Sequence, residues 1–258
     1  MPSENPPPLL PPPMRLLRNT SLFLDFDGTL VRFADRPDAV AVDSALRGLI
    51  GALAERLEGR LAIVSGRSAD EITAFFPAAD PGLPAVAVAG SHGVERRWPD
   101  GRSLAPAEPD ALAGALDELR ALAGRHPGVV VEEKPFGVAL HYRQAPQAAD
   151  LCNELADSLA ARAGFVLQRG SMVCELRAKG ADKGDAVRAF MAEPPMAGHP
   201  PLFIGDDLTD EHGFEAAAEL SGAGILVGAP RATAARYRLP DVAAVHRWLG
   251  AGTARRAA

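Results

Sequence analysis

The pattern of apolar and polar positions changes character twice along the chain. Ser21 to Phe26 reads SLFLDF, an apolar run with one carboxylate near its end. That predicts a strand buried on both faces whose C-terminal end opens on a site. Asp43 to Leu57 carries Leu46, Leu49, Ile50, Leu53 and Leu57 at helical spacing, with Asp43 as N-cap and Gly59 as the stop. Leu61 to Val64 predicts a second short strand. Ser68-Ala-Asp-Glu71 has the form of a capping box opening a helix to about Phe76, and Val86 to Ala89 is a third strand. Strand alternating with helix predicts a parallel sheet covered on both faces.

After Trp98 the rhythm becomes helix, hairpin, helix, hairpin. A turn-rich linker (Trp98–Leu104) leads to a helix over Pro109–Arg125, strands Val129–Lys134 and Val138–Arg143, a helix Gln147–Gly164, and strands Phe165–Arg169 and Met172–Arg177. This predicts an inserted α/β unit with an antiparallel sheet. The parallel rhythm resumes with a helix from Lys183, strand Leu202–Ile204, a helix from Asp210, strand Ile225–Val227 and a helix Val242–Leu249. The expected fold is α/β: a Rossmann-like core at 19–98 and 180–258, a cap at 99–179, and a proline-rich flexible tail at 1–18. Trp98–Arg102 and Ala178–Ala181 are the expected hinges.

Composition narrows the function. With 258 residues, 47% hydrophobic, and a formal net charge of -6, the chain is a globular protein without the basic field that attracts nucleic acid. No apolar run approaches the roughly 20 residues of a membrane span, and no signal-peptide pattern opens the chain. The expected setting is cytoplasmic, with no membrane partner. Cys152 and Cys174 form no CxxC pair and are expected to be reduced core thiols.

The chemistry collects where apolar strands end. Asp25-Phe-Asp27-Gly28-Thr29 places two carboxylates at a glycine turn. That arrangement suits a nucleophile beside a proton donor, one attacking phosphorus while the other protonates the leaving alkoxide and later activates water. Gly205-Asp206-Asp207-Leu-Thr-Asp210 follows another apolar strand, and parallel strands share their ligand-binding edge. Asp206 can therefore meet Asp25. Clustered carboxylates of this kind suit a hard cation, with Mg²⁺ the economical choice. Ser65 and Lys183 would supply a hydroxyl and a cation to phosphoryl oxygens. In the insert, Glu132 and Lys134 share one strand face, as do Glu175 and Arg177. These pairs suit sugar hydroxyls, or else form cross-strand salt bridges of little energetic value.

The ordered set Asp-x-Asp-Gly-Thr, Ser, Lys and Gly-Asp-Asp-x-x-Asp resembles the haloacid dehalogenase (HAD) superfamily of phosphohydrolases, one class of which carries a C2-type α/β cap between the Ser and Lys motifs. More narrowly, Ser65-Gly66-Arg67, Gly90-Ser-His92-Gly93, Glu132-x-Lys134, His141-Tyr-Arg143, Glu175-x-Arg177 and Gly205-Asp-Asp-x-Thr-Asp-Glu211 resemble the trehalose-6-phosphate phosphatases. The resemblance runs from about Ser21 to Leu249, with Arg177 standing where lysine is more usual. It implies hydrolysis of trehalose 6-phosphate through an aspartyl phosphate on Asp25, with Asp27 as acid and base, and with Ser65 and Lys183 on the phosphate. It implies Mg²⁺ held by Asp25, Asp206 and the main-chain carbonyl of Asp27, with Asp207 and Asp210 around that shell. The implied substrate-binding set is Gly28, Thr29, Gly66, Arg67, His92, Glu132, Lys134, His141, Arg143, Glu175 and Arg177. A monomer acting on a small molecule is expected. The rival readings are a sucrose phosphate or mannosyl-3-phosphoglycerate phosphatase, a phosphohexomutase, and a noncatalytic sugar-phosphate sensor.

Overall fold

The structure, a computed structural model, describes residues 9–33, 40–77, 86–105, 110–163, 165–170, 172–177, 180 and 182–253. The chain divides into two compact units, one of Met1–Ala105 with Ala181–Ala258 and one of Pro106–Gly180.

In the first unit the apolar runs become β1 (Ser21–Leu24), β2 (Leu61–Val64), β3 (Ala87–Gly90), β10 (Pro201–Gly205) and β11 (Ala223–Val227). With β12 (Tyr237–Leu239), β4 (Glu95–Arg97) and β5 (Ser103–Leu104) they form one sheet, ordered β12-β11-β10-β1-β2-β3-β4-β5. All neighbours are parallel except β3-β4 and β4-β5. β1 is central and wholly buried because alternate residues serve opposite layers. Leu22 and Leu24 pack with Ile50 and Leu53 of helix α1 (Ser44–Arg56) and Leu249 of α7 (Val242–Thr253). Phe23 packs with Phe190 of α5 (Lys183–Met191) and Phe214 of α6 (Asp210–Glu219). Helix starts follow the caps: the Asp43 carboxylate accepts the Leu46 amide at 2.8 Å, and Ser68 and Glu71 form a reciprocal box at α2 (Ala69–Phe75).

The second unit is a four-stranded antiparallel sheet, β6 (Val130–Lys134), β7 (Gly137–His141), β9 (Val173–Arg177) and β8 (Val166–Gly170) in that spatial order. Val138, Leu140, Cys174 and Leu176 on one face share an apolar core with Leu119 of α3 (Asp110–Arg125) and Leu159 of α4 (Ala149–Ala163). Cys152 and Cys174 are free and buried there.

Four expectations need correction. The segment predicted as a loose tail is ordered from Leu9 to Arg18. Trp248 Nε1 donates to the Pro12 carbonyl at 2.9 Å, Leu10 bridges to Tyr237, and Leu17 is buried in the core. The proline run supplies free carbonyls, and the apolar Leu17 gives the chain a reason to dock. Trp98–Leu104 is also no loose linker, because Gly101 at φ +89° turns β4 into β5 and extends the sheet. That segment is pinned as well: Trp98 meets Phe190 edge-on at 5.4 Å, and Arg102 pairs with Asp100 and Glu193. A hinge there is not supported, and the division between units falls at Pro106 and not at residue 99. The other expected hinge lies mostly outside the described residues.

Candidate active site

Parallel register sets the site. Leu24 is aligned with Ile204 on β10 and with Ile63 on β2, so Asp25, Ser65 and Asp206, all just past their strands, share one edge of the sheet. Lys183 at the head of α5 reaches the same edge, and its Nζ donates to Oδ1 of Asp25 and to Oδ1 of Asp210, each at 2.7 Å. All three groups are buried. Oδ2 of Asp210 accepts the amides of Asp206 and Asp207 at 2.8 and 3.0 Å. Asp210 thus shapes the Gly205–Asp210 turn from within. Oδ1 of Asp207 accepts the hydroxyl and amide of Thr209 at 2.6 and 2.8 Å.

Gly28 is required here. It has φ +85°, and a Cβ built on it would stand 2.3 Å from the Asp206 carboxylate. The neighbouring Thr29 hydroxyl donates to Asp206 Oδ1 at 3.3 Å. Gly28 and Thr29, predicted as substrate-binding residues, both lie against the Asp206 carboxylate of the cluster.

The Asp27 carboxylate is engaged by a different partner. Its two oxygens take a two-pronged ion pair from Arg67, at 2.7 Å from Nε and 2.9 Å from Nη2. The guanidinium lies over the rings of Phe26 and Phe75. The Ser65 hydroxyl accepts the Arg67 amide at 3.1 Å. His92, at φ +58°, is buried, donates its amide to the Ser65 carbonyl, and sets its ring where a Cβ on Gly66 would fall. Ser65, Gly66, Arg67 and His92 therefore form one packed corner beside Asp27.

Electrostatics follow from crowding four carboxylates, Asp25 and Asp210 buried and Asp206 and Asp207 half-buried, beside one buried ammonium. Burial pushes Asp25 up to about 7, the Asp206 and Asp207 charges add to this, and Lys183 opposes it. Asp206 rises to about 7 through burial and its neighbours Asp210 and Asp207. Asp210 is raised well above its ordinary value, chiefly by burial and Asp25. Burial also works against ionised Asp207, but Lys183 and the hydrogen bonds from Thr209 and Asp210 hold it down to about 2. Lys183 is stabilised as a cation, Asp210 and Asp25 outweighing its burial. The protein alone undercompensates this negative charge. Asp25, Asp206 and Asp210 bring one oxygen each within 4.8 Å of one another. An oxygen-only set that resists ionisation without a cation fits a hard divalent ion.

The second unit carries Glu132, Lys134, His141, Glu175 and Arg177 on one face of its sheet. Glu132 is aligned with Ala139, and Ala139 with Glu175; likewise Lys134 with Gly137, and Gly137 with Arg177. Because Gly137 and Ala139 are small, Lys134 reaches across β7 to Glu175 at 3.0 Å. His141 Nε2 and Glu132 are 2.7 Å apart. The cross-strand pairs considered from sequence are thus present, over a shallow bed of small residues. Arg143 is exposed in the turn that follows β7.

Arg231 escaped the sequence reading. It donates to the Asp207 carbonyl at 2.6 Å and pairs with Glu211. A loop arginine outside any motif gives no sequence signal; only the folded chain shows its target.

The parallel sheet, with aspartate, serine and lysine at its edge and an inserted α/β unit, has the fold of a phosphatase of the haloalkanoate (HAD) enzyme superfamily from Bacteroides thetaiotaomicron, with a TM-score of 0.61 at 15% identity over 93% of this chain and 96% of that one. The chain belongs to the trehalose-phosphatase family, whose model matches residues 23–243. It is 42% identical over 216 residues to a probable trehalose-phosphate phosphatase of Sinorhizobium fredii, covering 83% of this chain and 80% of that one. It is 40% identical over 235 residues to the trehalose-6-phosphate phosphatase of Escherichia coli, covering 88% and 84%. The C-terminal domain of Candida albicans trehalose-6-phosphate phosphatase superposes with a TM-score of 0.79 at 21% identity, over 97% of this chain and 99% of that one; this likeness speaks for the fold. Among the described residues no helix is long and apolar enough to cross a membrane.

Proposed function

We propose that the chain hydrolyses trehalose 6-phosphate to trehalose and inorganic phosphate through an aspartyl phosphate. The observation that carries this reading is the buried Asp25 carboxylate held by Lys183 beside Asp206, in a chain of this family. Asp25 attacks phosphorus as the bond to the sugar oxygen breaks, and Asp27 gives that oxygen its proton. Asp27 then takes a proton from water as that water attacks the aspartyl phosphate, releasing phosphate and the Asp25 carboxylate. Ser65 and Lys183 hold the phosphoryl oxygens, whose charge must be balanced throughout. Asp25, Asp206 and the Asp27 carbonyl would hold Mg²⁺, which supplies further charge neutralisation at phosphorus, with Asp210 fixing the loop that carries Asp206. Arg67 keeps Asp27 in place between turnovers. Glu132, Lys134, His141, Arg143, Glu175 and Arg177 recognise the sugar, their paired charges both donating to and accepting from hydroxyls.

The test is phosphate release across a panel of phosphorylated sugars, with and without Mg²⁺. Trehalose 6-phosphate should give the highest kcat/KM and Asp25→Asn should give none. Equal rates on sucrose 6-phosphate, or sugar-phosphate binding without release, would overturn the assignment. Glu132→Ala or Glu175→Ala should lower kcat/KM for trehalose 6-phosphate and spare a small aryl phosphate, which offers no sugar to grip. Equal losses on both would remove these residues from sugar recognition.

A further inference from the structure

The Asp206–Asp207 segment is gripped from two sides. Its amides donate to Asp210 Oδ2. Its carbonyls face Arg231, whose Nη2 donates to Asp207 O at 2.6 Å and lies 3.5 Å from Asp206 O. Arg231 is itself fixed: Nη1 pairs with Glu211 and donates to the Ala232 carbonyl at 3.2 Å. Glu211 accepts the Thr233 hydroxyl at 2.8 Å and the Ala234 amide at 2.7 Å. The Arg231 and Glu211 side chains are only 25% and 19% exposed, unlike an ordinary surface ion pair. The Nη2 contacts therefore run from the 231–234 loop to the main chain that carries Asp206, and Glu211 ties that loop to α6.

Two consequences follow from the chemistry of the groups. A planar guanidinium spreads donors over an anchor and a target at once, which an ammonium cannot reproduce. A carboxylate ligand is oriented by its backbone, so fixing both the N–H and C=O sides of Asp206 limits how far it can swing when cation charge arrives. We propose that Arg231 is a positioning residue for the cation site, setting Mg²⁺ affinity by holding the Asp206–Asp207 carbonyls while Glu211 holds Arg231. This rests on the reading of Asp206 as a metal ligand.

The experiment measures Mg²⁺ binding to substrate-free enzyme by calorimetry and by the Mg²⁺-dependent rise in unfolding temperature, for wild type, Arg231→Met, Arg231→Lys and Glu211→Gln. Disturbing such outer partners costs roughly 10- to 100-fold in metal affinity. Arg231→Met should show that loss, Arg231→Lys and Glu211→Gln smaller ones, with the unfolding temperature in chelator little changed. Phosphate release by Arg231→Met should recover at saturating Mg²⁺ with KM for the sugar phosphate unaltered. A folded Arg231→Met that binds Mg²⁺ within about twofold of wild type would overturn the proposal, as would lost activity that no Mg²⁺ concentration restores. Should Arg231→Met fail to fold, Arg231→Lys decides, and wild-type Mg²⁺ affinity in it overturns the proposal. Absence of Mg²⁺ binding by the wild type is a separate result, which would defeat the metal-ligand reading itself.

Discussion

Replacing Gly28 by alanine tests how closely the Asp27–Val31 turn and the Asp206 loop are fitted. The added Cβ would lie 2.3 Å from Oδ2 and 2.4 Å from both Cγ and Oδ1 of Asp206. Non-bonded heavy atoms prefer separations near 3.5 Å, so the carboxylate must retreat by about 1 Å. The left-handed backbone at φ +85° adds roughly 1–2 kcal/mol of strain for any residue with a Cβ. The two effects separate experimentally. Strain appears as a lower unfolding temperature in chelator, whereas misplacement of about 1 Å in a reacting site can cost on the order of 10²-fold in rate. Gly28→Ala should therefore stay folded at 25 °C, lose about that factor in kcat/KM for phosphate release, and need more Mg²⁺ for half-maximal rate. Activity within about threefold of wild type would refute the reasoning, because the turn would then have absorbed the methyl without moving Asp206. So would a loss that merely tracks the unfolded fraction.

Asp27→Asn should lower kcat by roughly 10²- to 10⁴-fold, the usual worth of a positioned proton donor; a loss under about tenfold in steady-state assays would remove Asp27 from the proton transfers. In the metal-free protein Asp25 and Asp206 are raised from 3.8 to about 7. The folded state therefore holds more protons than the unfolded one between about pH 4 and 7, and stability falls as pH rises through that window. Asp207, lowered to about 2, has the opposite slope only below about pH 4. Unfolding temperatures in chelator should show the decline, and the Mg²⁺-induced rise should be larger at pH 8 than at pH 6, since the ligands must be deprotonated to bind. Leu17→Ala should cost roughly 2–4 kcal/mol in denaturant unfolding with KM unchanged; a neutral result would mean that the Met14–Arg18 turn does not dock as the structure has it.

The sequence disclosed what local rules govern. Buried parallel strands announce themselves as apolar runs, and Asp43 and Ser68 announce helix starts, because each signal lies within a few residues of its effect. The motif carboxylates were legible for the same reason: Asp25 and Asp206 each sit one residue or two past an apolar run. Partnerships decided across the fold were not legible. Nothing near Arg67 marks Asp27 as its partner, and nothing near Thr29 marks Asp206. Proline at 11–13 read as disorder because a local rule cannot see that Trp248, far along the chain, needs the carbonyl of Pro12. The β4–β5 edge was missed because its strands have three and two residues and no alternation, so only pairing with β3 makes them strands.

The pairing of β1 with β10 aligns Ser21 with Pro201, and that separation governs the order in which the molecule can be made. On a ribosome β1 and β2 emerge early, but one edge of β1 has no partner until the whole Pro106–Gly180 unit has been synthesised. That unit has a core of its own and sheet neighbours close in sequence, so it can condense while the first unit still waits. The ion pair between Asp25 and Lys183 spans 158 positions and forms only at the final closure. In refolding from denaturant, phosphatase activity should therefore return after most of the helical signal, and the exposed edge of β1 is the surface that a chaperone would have to shield meanwhile.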